Sequence, residues 1–310
     1  MATYTSYELV GAKEDISDII TNISPRKTPF QNGIGNEKVT QKLFQWQEDS
    51  LRAAAANAQA EGFDASYITV TPTVMRQNVT QIFAEASQVS GTADVTSTYG
   101  RAKESAYQLA KSAAQVKRDL ELAMVGVDTA QTNGDNTTPT ARKFASYSRL
   151  LTVAGNVVYM GTGKTMATDS SAETQLLTAL QNSYNNGAEP NTISVTPATS
   201  LGVAAFAKAA GRYRTIVDAG SSPGKVVNAV DLYVSPFGEV KVILNRFQKS
   251  TWTLVYDNSM WVKATLRPWF RETLAKTGDS LKQMIVGEFS LKHKNFLASS
   301  LIVDNATSGF

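Results

Sequence analysis

The chain has 310 residues, with 30 Lys and Arg against 27 Asp and Glu, a formal charge of +3, 42% apolar and 18% charged residues, and no cysteine. This balance describes a folding chain long enough for a sizeable core and two domains, and it excludes disordered, disulfide-built and thiolate-metal classes. The basic residues are scattered, without the electrostatic footprint of a sequence-reading nucleic-acid binder.

The N-terminus, Met1-Ala2-Thr3-Tyr4, lacks the basic-then-apolar pattern of a leader, and no segment approaches the roughly 18 apolar residues of a membrane span, so neither export nor insertion is expected. The absence of cysteine fits folding in a reducing cytoplasm.

Residues 1–37 carry one short helical pattern, Asp15–Ile23, with Ile16, Ile19, Ile20 and Ile23 on one face. Ser24-Pro25-Arg26-Lys27-Thr28-Pro29-Phe30 and then Gly33 and Gly35 stop regular structure, so the segment reads as an arm that needs a surface to lie on. Lys38–Asp49 and Ser66–Phe83 are strand-like and flank an alanine-rich polar tip, Leu51–Gly62, which predicts a long hairpin. A two-stranded hairpin is marginal alone in water, so it is expected to pack on a partner.

Thr98–Val127 places Ala102, Ala106, Leu109, Ala113, Val116, Leu120, Ala123 and Val127 at alternating steps of four and three. That spacing predicts one core-packing amphipathic helix about 40 Å long, with Arg101, Glu104, Gln108, Lys111, Gln115, Arg118 and Glu121 off the apolar stripe. Asp128–Arg142 reads as a turn-rich loop and Leu150–Met160 as a strand. A helix over Ala172–Asn186 ends at Gly187; a strand over Asn191–Val195 and a helix over Ser200–Ala210 follow. Strands at Ala229–Val234, Val240–Asn245 and Thr251–Tyr256 complete a compact α/β unit over 166–261, and Leu281–Leu291 and Phe296–Val303 give two closing strands. The fold class read from this order is α+β.

Candidate chemistry is sparse. Gly161-Thr162-Gly163-Lys164-Thr165 ends like a phosphate-binding loop, yet Val158 stands where that loop needs its first glycine, and Met166–Ser170 reads as further loop. It reads as a glycine-rich corner. His293 is the only histidine, which rules out a two-histidine metal site, and Lys292-His293-Lys294 reads as a solvated turn. Glu14-Asp15 suits a helix start and Glu48-Asp49 a hairpin tip. Trp252, Tyr256, Trp261 and Trp269 around Asp257-Asn258-Ser259 read as core or interface aromatics more readily than as a sugar platform. No catalytic, cofactor or metal residues emerge, and the order of parts suits a building block better than an enzyme.

That order resembles the major capsid proteins of tailed double-stranded DNA bacteriophages, which have the Hong Kong 97-type fold. The resemblance rests on Thr28-Pro29-Phe30 in the arm, Trp46-Gln47-Glu48-Asp49-Ser50-Leu51 and Ala60-Glu61-Gly62 in the hairpin, and Lys263-Ala264-Thr265-Leu266-Arg267-Pro268-Trp269 before the closing strands. It implies an N-terminal arm at 1–37, an extended loop at 38–84, a peripheral domain of 85–165 with 262–310 carrying the long spine helix, and an axial domain at 166–261.

The resemblance further implies self-assembly into pentamers and hexamers of an icosahedral head in the virion, put together in the host bacterial cytoplasm. Packaged DNA would be held without sequence specificity, portal and decoration proteins would join the shell, and a scaffolding protein would be separate. Neighbour contacts would come from Pro29 and Phe30 of the arm, from Phe44, Trp46, Glu48, Asp49 and Arg52 of the hairpin, and from Arg212, Tyr213 and Arg214 of the axial domain. Trp46→Ala is accordingly expected to leave the subunit folded and block assembly. Lys38, Lys42 and Asn295 have the residue types through which some members crosslink, and maturation would straighten or rotate the spine helix and swing the hairpin. Three other readings stand beside it: an encapsulin-like nanocompartment, a nucleotide-binding enzyme at Gly161–Thr165, and a tail or adhesin component.

Overall fold

The computed structural model describes residues 24–65, 67–137, 139–151, 156–209 and 232–307. The expected arm helix at Asp15–Ile23, the Glu14-Asp15 pair and Arg212, Tyr213 and Arg214 lie outside the described residues. The chain divides into two compact units: Met1–Arg26, Ala84–Val116 and Phe270–Val286 form one, and Lys27–Phe83, Lys117–Trp269 and Gly287–Phe310 the other.

The described elements are five α-helices, α1 (Pro29–Gly33), α2 (Gly91–Val95), α3 (Glu104–Glu121), α4 (Ala172–Asn185) and α5 (Pro197–Ala209), and twelve strands. A four-stranded sheet has the order β1 (Gly35–Lys38), β10 (Trp261–Thr273), β11 (Ser280–His293), β4 (Gln81–Ser90). A six-stranded sheet has the order β5 (Val157–Tyr159), β12 (Ser300–Val303), β9 (Trp252–Tyr256), β6 (Thr192–Val195), β8 (Gly238–Leu244), β7 (Leu232–Ser235). The hairpin β2 (Leu43–Glu48) and β3 (Val74–Val79) pairs antiparallel, from Leu43↔Val79 to Glu48↔Val74.

Local chemistry accounts for the smaller unit. Ser90 caps α2 through its Oγ, which accepts from Ala93 N at 3.3 Å, and Asp94 Oδ1 accepts from Ser105 N at 3.0 Å at the start of α3. Gly91 donates its amide to Asp279 O at 3.2 Å, and a Cβ there would force the exposed Asp279 carboxylate to shift.

In the larger unit, α4 packs on β12 and β5 and buries Leu176, Ala179 and Leu180 against Val158, Ile193, Val255 and Ile302. The six-stranded sheet thus takes in β5 and β12 from outside 166–261, because every residue of β12 is buried and it needs a strand on each side to satisfy its backbone. A second cluster is aromatic: Phe30 of α1 meets Tyr147, Tyr256 and Trp261 edge-on at centroid distances of 5.9, 5.3 and 5.9 Å.

Three expectations change. The helix expected over Thr98–Val127 is α3, which starts at Glu104, ends at Glu121 and gives way to a π turn at Leu122–Gly126. The π turn moves Met124 and Val125 into the core and leaves Leu122 and Val127 exposed, off the regular stripe. Strand β10 covers Trp261–Thr273 although it contains Pro268; its partner β1 reaches only Thr265, so no pairing with β1 is lost at the proline.

The third change is at His293, which is no solvated turn residue but the fully buried last residue of β11. Its ring stacks on Trp261, centroids 4.0 Å apart with planes at 9°, and Nε2 lies 3.0 Å from Ser299 Oγ. Strand alternation turns it inward while Lys292 turns out to pair with Glu37 at 2.8 Å.

Candidate assembly interface

The hairpin base is anchored within its own subunit. Phe44 and Trp46 are buried and stack on each other at 5.6 Å, and Trp46 reaches Phe296 at 6.2 Å. Glu48 spends both oxygens internally: Oε2 accepts from Arg76 Nε at 2.8 Å and Oε1 from Phe296 N at 2.9 Å, while the Arg76 guanidinium lies 4.4 Å over the Phe296 ring. Asn78 is wholly buried; its Nδ2 donates to Leu291 O at 2.7 Å and its Oδ1 accepts from Val79 N and Ala145 N, both at 2.9 Å.

One strand further, Glu288 collects Thr80 Oγ1 and Arg142 Nη2, each at 2.6 Å, and Arg267 Nε at 3.0 Å. The described end of the arm, with Phe30, Gln31 and Ile34 buried, and the hairpin base therefore have intrachain cover, where the sequence pattern pointed to a partner. The aromatic spacing that signalled a partner surface, Phe44 and Trp46, signals the core.

What lacks cover is the stretch between β2 and β3. Every described residue from Asp49 to Thr73 is exposed, with Leu51 at 98%, Tyr67 at 98%, Val70 at 82% and Ile68 at 72% of their full areas. These apolar side chains stand in water along a segment without regular structure. Of the residues expected to touch a neighbour, Asp49 and Arg52 are exposed here; Asp49 Oδ1 accepts from Ser50 N at 2.8 Å and Arg52 donates to Ala53 O at 3.0 Å. Pro29 is half-buried at the first position of α1, and Phe30 is buried. Lys38 and Lys42 are exposed, and Asn295 turns its Oδ1 to Leu297 N at 3.0 Å.

A further polar centre escaped the sequence pattern. Glu121, assigned to the polar face of the long helix, is fully buried at the end of α3. Its Oε1 accepts from Phe30 N at 2.9 Å and from Asn245 Nδ2 at 2.7 Å, and its Oε2 from Gln31 N at 2.9 Å. Burial raises its pKa above the usual carboxylate value, opposed by these hydrogen bonds. The carboxylate takes up amide donors that the first turn of α1 would otherwise leave unpaired.

The glycine corner is structural. Gly161 (φ 94°) and Gly163 (φ 76°) take the left-handed backbone, and their amides go to Ala306 O at 2.9 Å and Asn305 Oδ1 at 2.7 Å. Asn305 N returns to Lys164 O at 2.8 Å, and α4 begins only at Ala172. A phosphate cradle needs those amides free at a helix N-terminus. Trp252, Tyr256 and Trp261 are buried, and Asp257 Oδ1 accepts from Ser259 N at 2.9 Å and Asn191 Nδ2 at 3.0 Å, so that turn shapes the chain. Among the described residues, no group of three or more His, Asp or Glu is placed to hold a metal, and no helix is long and apolar enough to cross a membrane.

The described residues give a mixed α+β body with a hairpin anchored at its base and apolar side chains exposed at its tip. Comparison with known proteins gives the class: the SU10 major capsid protein model matches residues 2–306. The chain belongs to the SU10 major capsid protein family; it is a major capsid protein that forms phage heads, a structural component and not an enzyme, and its place is the virion capsid.

It is similar to the major capsid protein of Escherichia phage Phieco32, 29% identical over 340 aligned residues covering 96% of each chain. Among solved structures, it resembles the capsid of a native GTA particle (TM-score 0.67, 13% identity, 97% and 98% of the two chains). It also resembles a structure from Mycobacterium phage Bobi (TM-score 0.63, 14% identity, 99% and 100%). These likenesses carry the fold, that of the Hong Kong 97-type capsids.

Proposed function

We propose that the subunit closes an icosahedral shell of pentamers and hexamers around packaged double-stranded DNA, and that the segment between β2 and β3 joins neighbours. Residues 1–37 act as the arm, 38–84 as the extended loop, 85–165 with 262–310 as the peripheral domain and 166–261 as the axial domain. The observation that carries the reading is the pairing of a base locked by Glu48, Arg76 and Asn78 with a tip whose Leu51, Tyr67, Ile68 and Val70 stand in water.

A rigid base delivers the tip to a fixed place, and a modest contact made once per subunit is multiplied by closed symmetry and linkage around the shell. Asp49 and Arg52 supply charged contacts beside it, and Arg212, Tyr213 and Arg214 serve subunits meeting around an axis. The small net charge of +3 suits a wall that encloses DNA without reading its sequence. Scaffolding, portal and decoration proteins are the further partners, and crosslinking through Lys38 or Lys42 with Asn295 belongs to the same reading.

The test replaces residues 51–71 with a two-residue Asn-Gly turn, which keeps the register of the antiparallel pair. The shortened chain, expressed with the head proteins encoded beside it, should melt cooperatively as a dispersed subunit and form no shells. Normal shells from it would remove the loop from the mechanism.

A further inference from the structure

The end of α3 departs from the register that its sequence spacing predicts. A continuous α-helix past Leu120 would keep Ala123, which already packs on the core, and bring Val127 to the buried stripe, the spacing written in the sequence. The structure instead inserts a π turn at Leu122–Gly126, which buries Met124 and Val125 completely and leaves Val127 at 44% exposure.

This second register is held from outside the helix. Tyr147 N takes Met124 O at 2.9 Å, Lys249 N takes Val125 O at 3.3 Å, and Gly126 lies so close to Phe247 O that any Cβ would clash. The residue at the junction is Glu121, last of the α-helix. It binds the arm turn through Phe30 N and Gln31 N and the 245–249 segment through Asn245, whose Oδ1 in turn accepts from Phe247 N at 2.9 Å. The arm is held a second time, by Gln31 Nε2 on Lys117 O at 2.8 Å.

We propose that Glu121 is a latch making arm docking and the helix register one equilibrium: with the arm turn seated on its carboxylate the π turn is held, and with the arm withdrawn the helix runs on in the α register. A neighbour that pulled on the arm would thereby move the end of the long helix. An element with two discrete packings, biased by a ligand of one of them, is the physical requirement for such coupling, and here the ligand is the chain's own arm. The latch would serve the assembly role proposed above, but it is a property of the single subunit.

The absence of cysteine makes the test clean. A V127C probe is placed in the full-length chain, as unassembled subunit, and its rate of labelling by a soluble thiol reagent is compared with that of the same probe carrying E121A. The latch requires labelling of the E121A subunit to slow by about tenfold or more as position 127 turns inward, at a melting temperature showing a folded chain. An unchanged or faster rate in a folded E121A subunit overturns the proposal. If E121A does not fold, Q31A, which removes the arm's other hold on α3 at Lys117 O, is read in the same way. Because the readout is local, it is independent of whether the chain closes a shell.

Discussion

Trp261 and His293 lie face to face, ring centroids 4.0 Å apart, with the imidazole wholly buried and Nε2 beside Ser299 Oγ. Burial pushes the imidazole pKa down to about 3, so the folded chain holds it neutral while the unfolded chain protonates it near 6.5. The stability this provides is complete above the unfolded value and falls as pH drops from about 6.5 towards 3, by about 1.4 kcal/mol per pH unit. Denaturant midpoints for the wild type and His293→Phe should diverge in slope between pH 7.5 and 4.5, with the variant the less acid-sensitive. Parallel slopes would mean that the site stays hydrated.

Trp46 and the loop residues separate folding from assembly. Trp46→Ala opens a hole beside Phe44 and Phe296 and should cost about 3–5 kcal/mol of subunit stability. Tyr67→Asp and Leu51→Asp, at fully exposed positions, should change stability by no more than about 0.5 kcal/mol and still abolish shell formation. Thermal melts beside sedimentation of the particles distinguish the two groups; a stable Trp46→Ala subunit would restore that residue to the interface.

Glu288 joins Thr80, Arg142 and Arg267 across three segments of the larger unit. Glu288→Ala leaves two guanidinium groups that are 22% and 46% exposed and can still reach water, so the loss should be about 2 kcal/mol rather than the 3–5 of a sealed pair. Arg142→Ala should cost less, since the carboxylate keeps its other two donors. Urea unfolding gives both values, and a larger loss for Arg142→Ala would contradict this division.

At the glycine corner, Asn305 holds a left-handed backbone (φ 56°) and caps Gly163. Asn305→Ala forfeits both and should lower stability by about 1–2 kcal/mol. Calorimetric titration of the wild-type chain with ATP should show no binding; micromolar binding would reopen the nucleotide reading.

Much of the larger unit was legible because its signals are local. The helix ending at Gly187 (φ 86°) is α4, and β6, β8 and β9 fall within a residue or two of the strands expected there. The illegible parts are those decided by tertiary contact. Glu121 sits in the polar phase of a regular helix, and only its burial against the arm shows its role. His293 hides between two lysines, and Pro268 masks β10, which runs on past the end of its pairing with β1 at Thr265. Phe44 and Trp46 were visible as an apolar strand face, but periodicity tells that a face is covered and not by which chain. The uncovered residues, in turn, lie in a tip with no period at all.

The most direct test of the account is an electron cryo-microscopy map of the assembled shell at side-chain resolution. The account requires density for residues 49–73 to leave its own subunit and lie on a neighbour, with Leu51, Tyr67, Ile68 and Val70 buried between the two copies. A closed shell in which that segment folds back on its own subunit, or stands in solvent, would contradict it.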